Sequence, residues 1–118
     1  IYSGNAYTIY SGNNNKILYA SGSNYHGACA INNIKPNVVK HSKITYFNEN
    51  YINITQICIN PTGSCSFWIT NDNKIYGNGL NDKYQLGLAG KSNKAEPILI
   101  RALQSKLWKI ISIQSTLQ

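Results

Sequence analysis

Acidic residues are scarce in this chain: four in 118, namely Glu49, Asp72, Asp82 and Glu96. None lies close enough to another in sequence to suggest a paired-carboxylate acid–base site, and Asp72 sits in a turn-forming stretch, Asn71-Asp72-Asn73. The two histidines, His26 and His41, have no Cys or His partner at metal-ligand spacing. His26 falls in a loop and reads as a solvated residue. The three cysteines, Cys29, Cys58 and Cys65, are an odd count with no metal spacing, which suits free thiols in a reducing compartment. There is no Gly-x-Ser-x-Gly elbow, and Thr62-Gly63-Ser64 lacks the Gly-Lys-Ser/Thr of a phosphate loop. No catalytic constellation, cofactor site or metal site is therefore expected. No run of eighteen apolar residues and no signal-peptide layout occurs, so nothing addresses the chain to a membrane, and we expect an intracellular location, cytoplasm or nucleus. The sequence opens at Ile1 in mid-pattern, so we expect a piece of a longer protein.

What the chain has is strand, turn and positive charge. Eleven basic residues give a formal charge of +7. Such an excess attracts nucleic acid, chromatin or an acidic protein face. The lysines are scattered, with loose groups at Lys35/Lys40/Lys43 and Lys91/Lys94, so a composition rich in Asn, Ile, Lys and Tyr is the plainer explanation. The tyrosines could stack bases or sugars, but filling strand faces is their commoner use. The sequon Asn53-Ile54-Thr55 falls in a predicted strand and reads as chance.

Residues 56–87 are the most legible. Ile57 and Ile59 alternate with Cys58 and Asn60, and Asn60-Pro61-Thr62-Gly63 is a turn sequence. A three-residue loop at Pro61–Gly63 would set Ile59 against Cys65 and Ile57 against Phe67. That register gathers Ile57, Ile59, Cys65, Phe67, Ile69 and Ile75 on one apolar face and puts Cys58 and Cys65 on opposite faces. The next turn, with Asn73 left-handed, pairs Ile69 with Ile75 and Trp68 with Tyr76. Elsewhere, residues 16–20 and Val38-Val39 read as strands, 41–52 as irregular, 91–97 as polar loop, 98–103 as strand or helical turn, and 107–113 as strand.

The chain also repeats itself. KILYASGSN at 16–24 matches NKIYGNGLN at 73–81 at an offset of 57. SGNAYTIYSGNNNKIL matches PTGSCSFWITNDNKIY with one residue inserted, and Ile57–Asn60 matches Ile111–Gln114. A strand-and-turn period in the fifties points to an all-β fold, a fragment of a β-propeller of about two four-stranded antiparallel blades. We expect one propeller domain over 1–118, with a partial blade at 1–12 and repeats at 13–70 and 71–118. Two blades close no ring, so further blades must come from additional sequence or another chain.

The pattern IYGNGLNDKYQLGLAGKSNKAEPILI, residues 75–100, resembles the repeat of the regulator of chromosome condensation family; ILYASGSNYHGACA is a second copy that keeps Gly22, Asn24 and Gly27. Family blades usually carry Trp before the glycine, where this chain has Ser21 and Asn78, and a Gly-x-x-His at the inner strand, which is absent here. Gly22, Asn24, Gly79, Asn81 and Gly87 are the repeat positions, read as architectural: glycine where a Cβ would not fit the turn, asparagine to bond loop backbone. The resemblance implies a protein-binding platform whose partner could be a small GTPase. The best-known member promotes guanine-nucleotide exchange on Ran, which would be nucleotide exchange rather than bond chemistry. Other members act as scaffolds or substrate-binding modules. The alternatives that stay open are a scaffold without exchange activity, a basic chromatin- or nucleic-acid-binding module, and a lectin-like propeller using tyrosines.

Overall fold

The computed structural model describes residues 2–3, 7–24, 26–31, 38–59, 65–82, 84, 86–88 and 90–101. Eight strands and one helical turn follow in order: β1 (Tyr2–Ser3), β2 (Tyr7–Gly12), β3 (Ile17–Ser23), β4 (Val38–Lys43), α1 (Tyr46–Glu49), β5 (Ile54–Ile59), β6 (Cys65–Thr70), β7 (Ile75–Gly79) and β8 (Lys94–Leu99). They form two antiparallel four-stranded sheets in simple sequential order, β1-β2-β3-β4 and β5-β6-β7-β8. These are two blades of a β-propeller. β1 lies beside β5, which makes these the inner strands and β4 and β8 the outer ones. Each sheet is a meander whose hairpins follow the turn chemistry of the sequence. Asn13, Asn14 and Asn15 are all left-handed (φ 52°, 55° and 64°), and Asn73 is left-handed at 64°.

The internal repeat is a repeat of geometry. Tyr7 pairs with Gly22 and Tyr10 with Tyr19 in the first sheet; Cys65 pairs with Gly79 and Trp68 with Tyr76 in the second. The offset is thus 58 along β2/β6 and 57 along β3/β7. The extra residue lies in the asparagine turn of the first blade. Units counted as 13–70 and 71–118 run out of phase with the sheets, since 13–70 takes β3 and β4 from one blade and β5 and β6 from the next.

Four expectations need correcting. Ile59 pairs with Ser66, Ile57 with Trp68 and Cys58 with Phe67, one residue away from the anticipated register. Opposed residues share a face, so Ile57 and Ile59 lie with Trp68 and Tyr76, while Phe67, Ile69 and Ile75 line the other face. The physical reason is that β6 is covered on both sides, so its alternation carries no register information, and burial of the Trp68 indole decides. Cys58 and Cys65 consequently share a face rather than opposing one another, and all three cysteines are free thiols. Residues 41–52 are not all irregular: β4 runs to Lys43 and α1 occupies 46–49. β8 begins at Lys94, inside the stretch read as loop; Pro97 is tolerated because β8 is an outer strand. The Pro61–Gly63 loop, the strand at 107–113 and the match at 111–114 lie outside the described residues. The Ile69–Ile75 and Trp68–Tyr76 pairs form as expected.

The main core lies between the blades. Tyr7, Ile9, Leu18 and Ala20 from the first sheet meet Ile57 and Trp68 from the second, with Ala28, Cys29, Ala30, Ile44 and Phe47 from the connecting segments. A smaller cluster on the far face of the second sheet holds Ile69, Ile75 and Ile100, with Phe67 and Leu88 against it. Along the repeat, Phe67 and Ile75 occupy the positions of Ile9 and Leu18, so one sheet face recurs from blade to blade.

Candidate functional site at the blade junction

The loop after β3 is built around Asn24. Its Oδ1 accepts the Cys29 amide at 3.1 Å, and the Gly27 and Ala30 amides donate to the carbonyls three residues back. After β7, Asn81 Oδ1 accepts the Leu86 amide at 3.1 Å, with Tyr84 and Gly87 closing the same turns. Both asparagines are buried. Gly22 and Gly79 leave their strands at φ 117° and 113°. Gly27 (φ 82°) corresponds to Tyr84 (φ 59°), and Ala30 (φ 58°) to Gly87 (φ 69°). The two loops share one backbone path, and at two points the path takes a residue other than glycine through the left-handed region.

The first of these loops leaves its own blade and grips the next. Asn78 Nδ2 donates to both the Gly27 and Ala28 carbonyls at 3.0 Å, and Asn78 Oδ1 accepts from the Trp68 indole at 2.6 Å. Ser66 Oγ donates to the Ala28 carbonyl at 2.8 Å, and the Tyr7 hydroxyl lies 2.5 Å from Ser66 Oγ and 2.9 Å from the Cys65 carbonyl, its single proton shared between the two. Gly27 packs so closely that a Cβ there would sit 2.5 Å from Ala95 Cα. Asn78 stands where the family pattern has tryptophan. The indole comes instead from Trp68 on the neighbouring strand, and the amide serves both it and the incoming loop. Burial pushes the Tyr7 phenol well above its usual range, against the pull of its Ser66 hydrogen bond, and burial pushes the Cys29 thiol up to about 12. These groups are framework: every polar atom named here is engaged by another.

α1 crosses from outer β4 to inner β5 and closes the other part of the junction. Phe47 packs on Trp68 with ring centroids 4.8 Å apart and on Tyr76 at 5.8 Å; Tyr46 meets Tyr76 at 6.2 Å. Beside α1 two clefts adjoin, sharing Tyr46 and Asn50. One, of about 110 Å³, runs between Ala30 and Lys43 of the first blade, Glu49 of α1 and Glu96 of β8. The other, of about 390 Å³, is edged by Tyr51, Tyr76 and the β6–β7 turn with Asp72 and Lys74. Burial, then the neighbouring Tyr76 and Glu96, push the Tyr46 phenol up. The Thr70 hydroxyl, then Lys74 at 3.2 Å, hold Asp72 below the usual carboxylate range.

The sequence pointed to the glycine and asparagine positions but not to these clefts. Their residues come from separate segments, and none forms a motif. Among the described residues no group of three His, Cys, Asp or Glu side chains could hold a metal ion. Within the same residues, no helix is long and apolar enough to cross a membrane.

Residues 72–115 match the family model of the regulator of chromosome condensation (RCC1) repeat. No curated protein sequence matches the chain. Among solved structures it is similar to human WBSCR16, with a TM-score of 0.67 at 17% identity, covering 82% of this chain and 23% of that one. It is also similar to a chain in the crystal structure of Kap60 bound to yeast RCC1 (Prp20), with a TM-score of 0.72 at 17% identity, covering 97% of this chain and 27% of that one. The chain thus spans about a quarter of the length of these two structures. Likeness at this identity establishes the fold, and the repeat match begins in the β6–β7 turn and takes in β7 and β8: the chain is a two-blade piece of a β-propeller whose residues 72–115 match the repeat of the regulator of chromosome condensation family.

Proposed function

We propose that the chain is part of a single β-propeller domain, with repeats at 13–70 and 71–118, that works as a protein-interaction module. Gly22, Asn24, Gly79, Asn81 and Gly87 serve as its framework positions rather than as contacts. The observation that carries this reading is the clasp between blades. Conserving one backbone path in two loops of unlike sequence spends polar groups on rigidity, and a rigid wheel is what presents loops to a partner. The sharper form is guanine-nucleotide exchange on a Ran-like small GTPase, performed by loops that wedge the nucleotide site open. Its support is the repeat match and the fold likeness to a chain of a structure containing yeast RCC1. The test follows release of labelled nucleotide from Ran on adding the intact protein. Accelerated release supports exchange. Unchanged release removes it and leaves the scaffold.

A basic surface for nucleic acid is the second reading. Lys16, Lys40 and Lys43 are exposed on the first blade. It predicts binding to DNA that weakens steeply with salt, and DNA binding that is absent or indifferent to salt ends it.

A further inference from the structure

The two clefts beside α1 adjoin at Tyr46 and Asn50, which border both, and are taken together as one groove. Three of the four acidic residues in the whole sequence, Glu49, Asp72 and Glu96, line it. Lys43 lines the smaller cleft beside Glu49 and Glu96, and Lys74 the larger beside Asp72, so in a chain of formal charge +7 this lining is negative by one charge. Asp72 is committed to Lys74, whereas among the described residues neither Glu49 nor Glu96 forms an ion pair. Three tyrosines, Tyr46, Tyr51 and Tyr76, supply ring faces and edges along the same groove. Tyr51 is 94% exposed; its left-handed backbone (φ 56°) ends α1, where the Ile52 amide returns to the Phe47 carbonyl at 2.8 Å, and so holds the ring out toward the groove.

We infer that this groove is a docking site for an extended peptide segment anchored by arginine, its guanidinium reaching Glu49 and Glu96 while its plane stacks on tyrosine. The charge complementarity sets the sign of the partner. The tyrosines favour arginine over lysine, since a planar guanidinium stacks on an aromatic ring and engages a carboxylate with two parallel hydrogen bonds. The inference rests on the reading of the chain as an interaction module and names the chemistry of one partner.

The test is fluorescence anisotropy of a labelled peptide with three arginines separated by glycines, titrated with the intact protein. Its controls are the same peptide with lysine and with citrulline in place of arginine. The expected result is saturable binding of the arginine peptide, weaker binding of the lysine peptide, and none of the citrulline peptide. The double variant Glu49→Gln/Glu96→Gln should bind roughly tenfold more weakly. Tyr51→Ala should lose roughly three- to fivefold, and Tyr51→Phe should restore it. Glu49 and Tyr51 are exposed and Glu96 is half-buried at the cleft, and circular dichroism and the urea midpoint check that each variant folds. No binding of the arginine peptide, equal binding of the citrulline peptide, or variants that bind as the parent does would overturn the groove. Binding that is indifferent to the groove variants would still leave the interaction module standing, and failure in the Ran assay would leave the groove standing.

Discussion

Ala30 and Gly27 show how much one backbone angle matters here. Ala30 sits at φ 58°, where its counterpart in the second loop is Gly87 at 69°. A Cβ in that region costs about 1–2 kcal/mol, partly offset by the greater unfolded-state freedom of glycine. Ala30→Gly should therefore raise stability by about 0.5–1 kcal/mol, read as a higher urea midpoint at unchanged slope. Gly27→Ala should do the opposite, and by more. It meets the Ala95 backbone at 2.5 Å as well as a φ of 82°, so a loss of roughly 2–5 kcal/mol is expected in the same measurement. Cys29 and Tyr7 give the fold an alkaline limit. Both are held protonated by burial, so the folded state is favoured fully below the unfolded pKa and less as pH rises. Stability should fall from about pH 9, where Cys29 ionises in the unfolded chain, and more steeply above about pH 10, where Tyr7 joins it. Each group contributes at most roughly 1.4 kcal/mol per pH unit. Cys29→Ala and Tyr7→Phe should each flatten their part of the curve in urea titrations between pH 8 and 11.

At the level of strands and loops, the Tyr7–Ser66–Ala28 chain of hydrogen bonds joins β2, β6 and the Asn24 loop. Its members act as one unit, so Tyr7→Phe and Ser66→Ala should be non-additive. A double-mutant cycle should give a coupling of about 0.5–3 kcal/mol. This network was not readable in the sequence, because tyrosine and serine on a strand look the same whether they face water or a neighbouring blade. Where one face of a hairpin is the signal, the reading worked: Asn73 marked the β6–β7 turn, and Ile69–Ile75 followed from it. Where a strand is buried on both faces, as β6 is, periodicity gave the wrong partner for Ile57. The offset of 57 located both Asn-anchored loops, since a backbone path needs its own residues at fixed places. The groove had no such mark. Tyr46, Glu96 and Asp72 are far apart in the chain, and only the stacking of blades brings them to one line.

For the whole molecule, among the described residues no strand lies across the outer face of either sheet, and on the first that face is aromatic. Tyr10 and Ile17 are 37% and 46% exposed on the first blade, and Tyr10 occupies the position that Trp68, fully buried, holds in the second. His41 lies flat on Tyr19 at 4.7 Å and edge-on to Tyr10 at 5.6 Å, much as Phe47 covers Tyr76 and Trp68. This face has the form of a blade-to-blade contact, and a contact of that kind is heterologous: it joins head to tail. The 118-residue chain by itself should therefore self-associate at micromolar concentration, and Tyr10→Lys/Ile17→Lys should suppress it. Sedimentation velocity reads both outcomes.

The reach of the Asn24 loop into the following sheet gives assembly a direction. A ribosome delivers the hook before the strands that Asn78 and Ser66 belong to, so the second slice meets a ready template in the first. Errors in one slice are then inherited by the one behind it, and repair of a faulty second blade has to begin with the first.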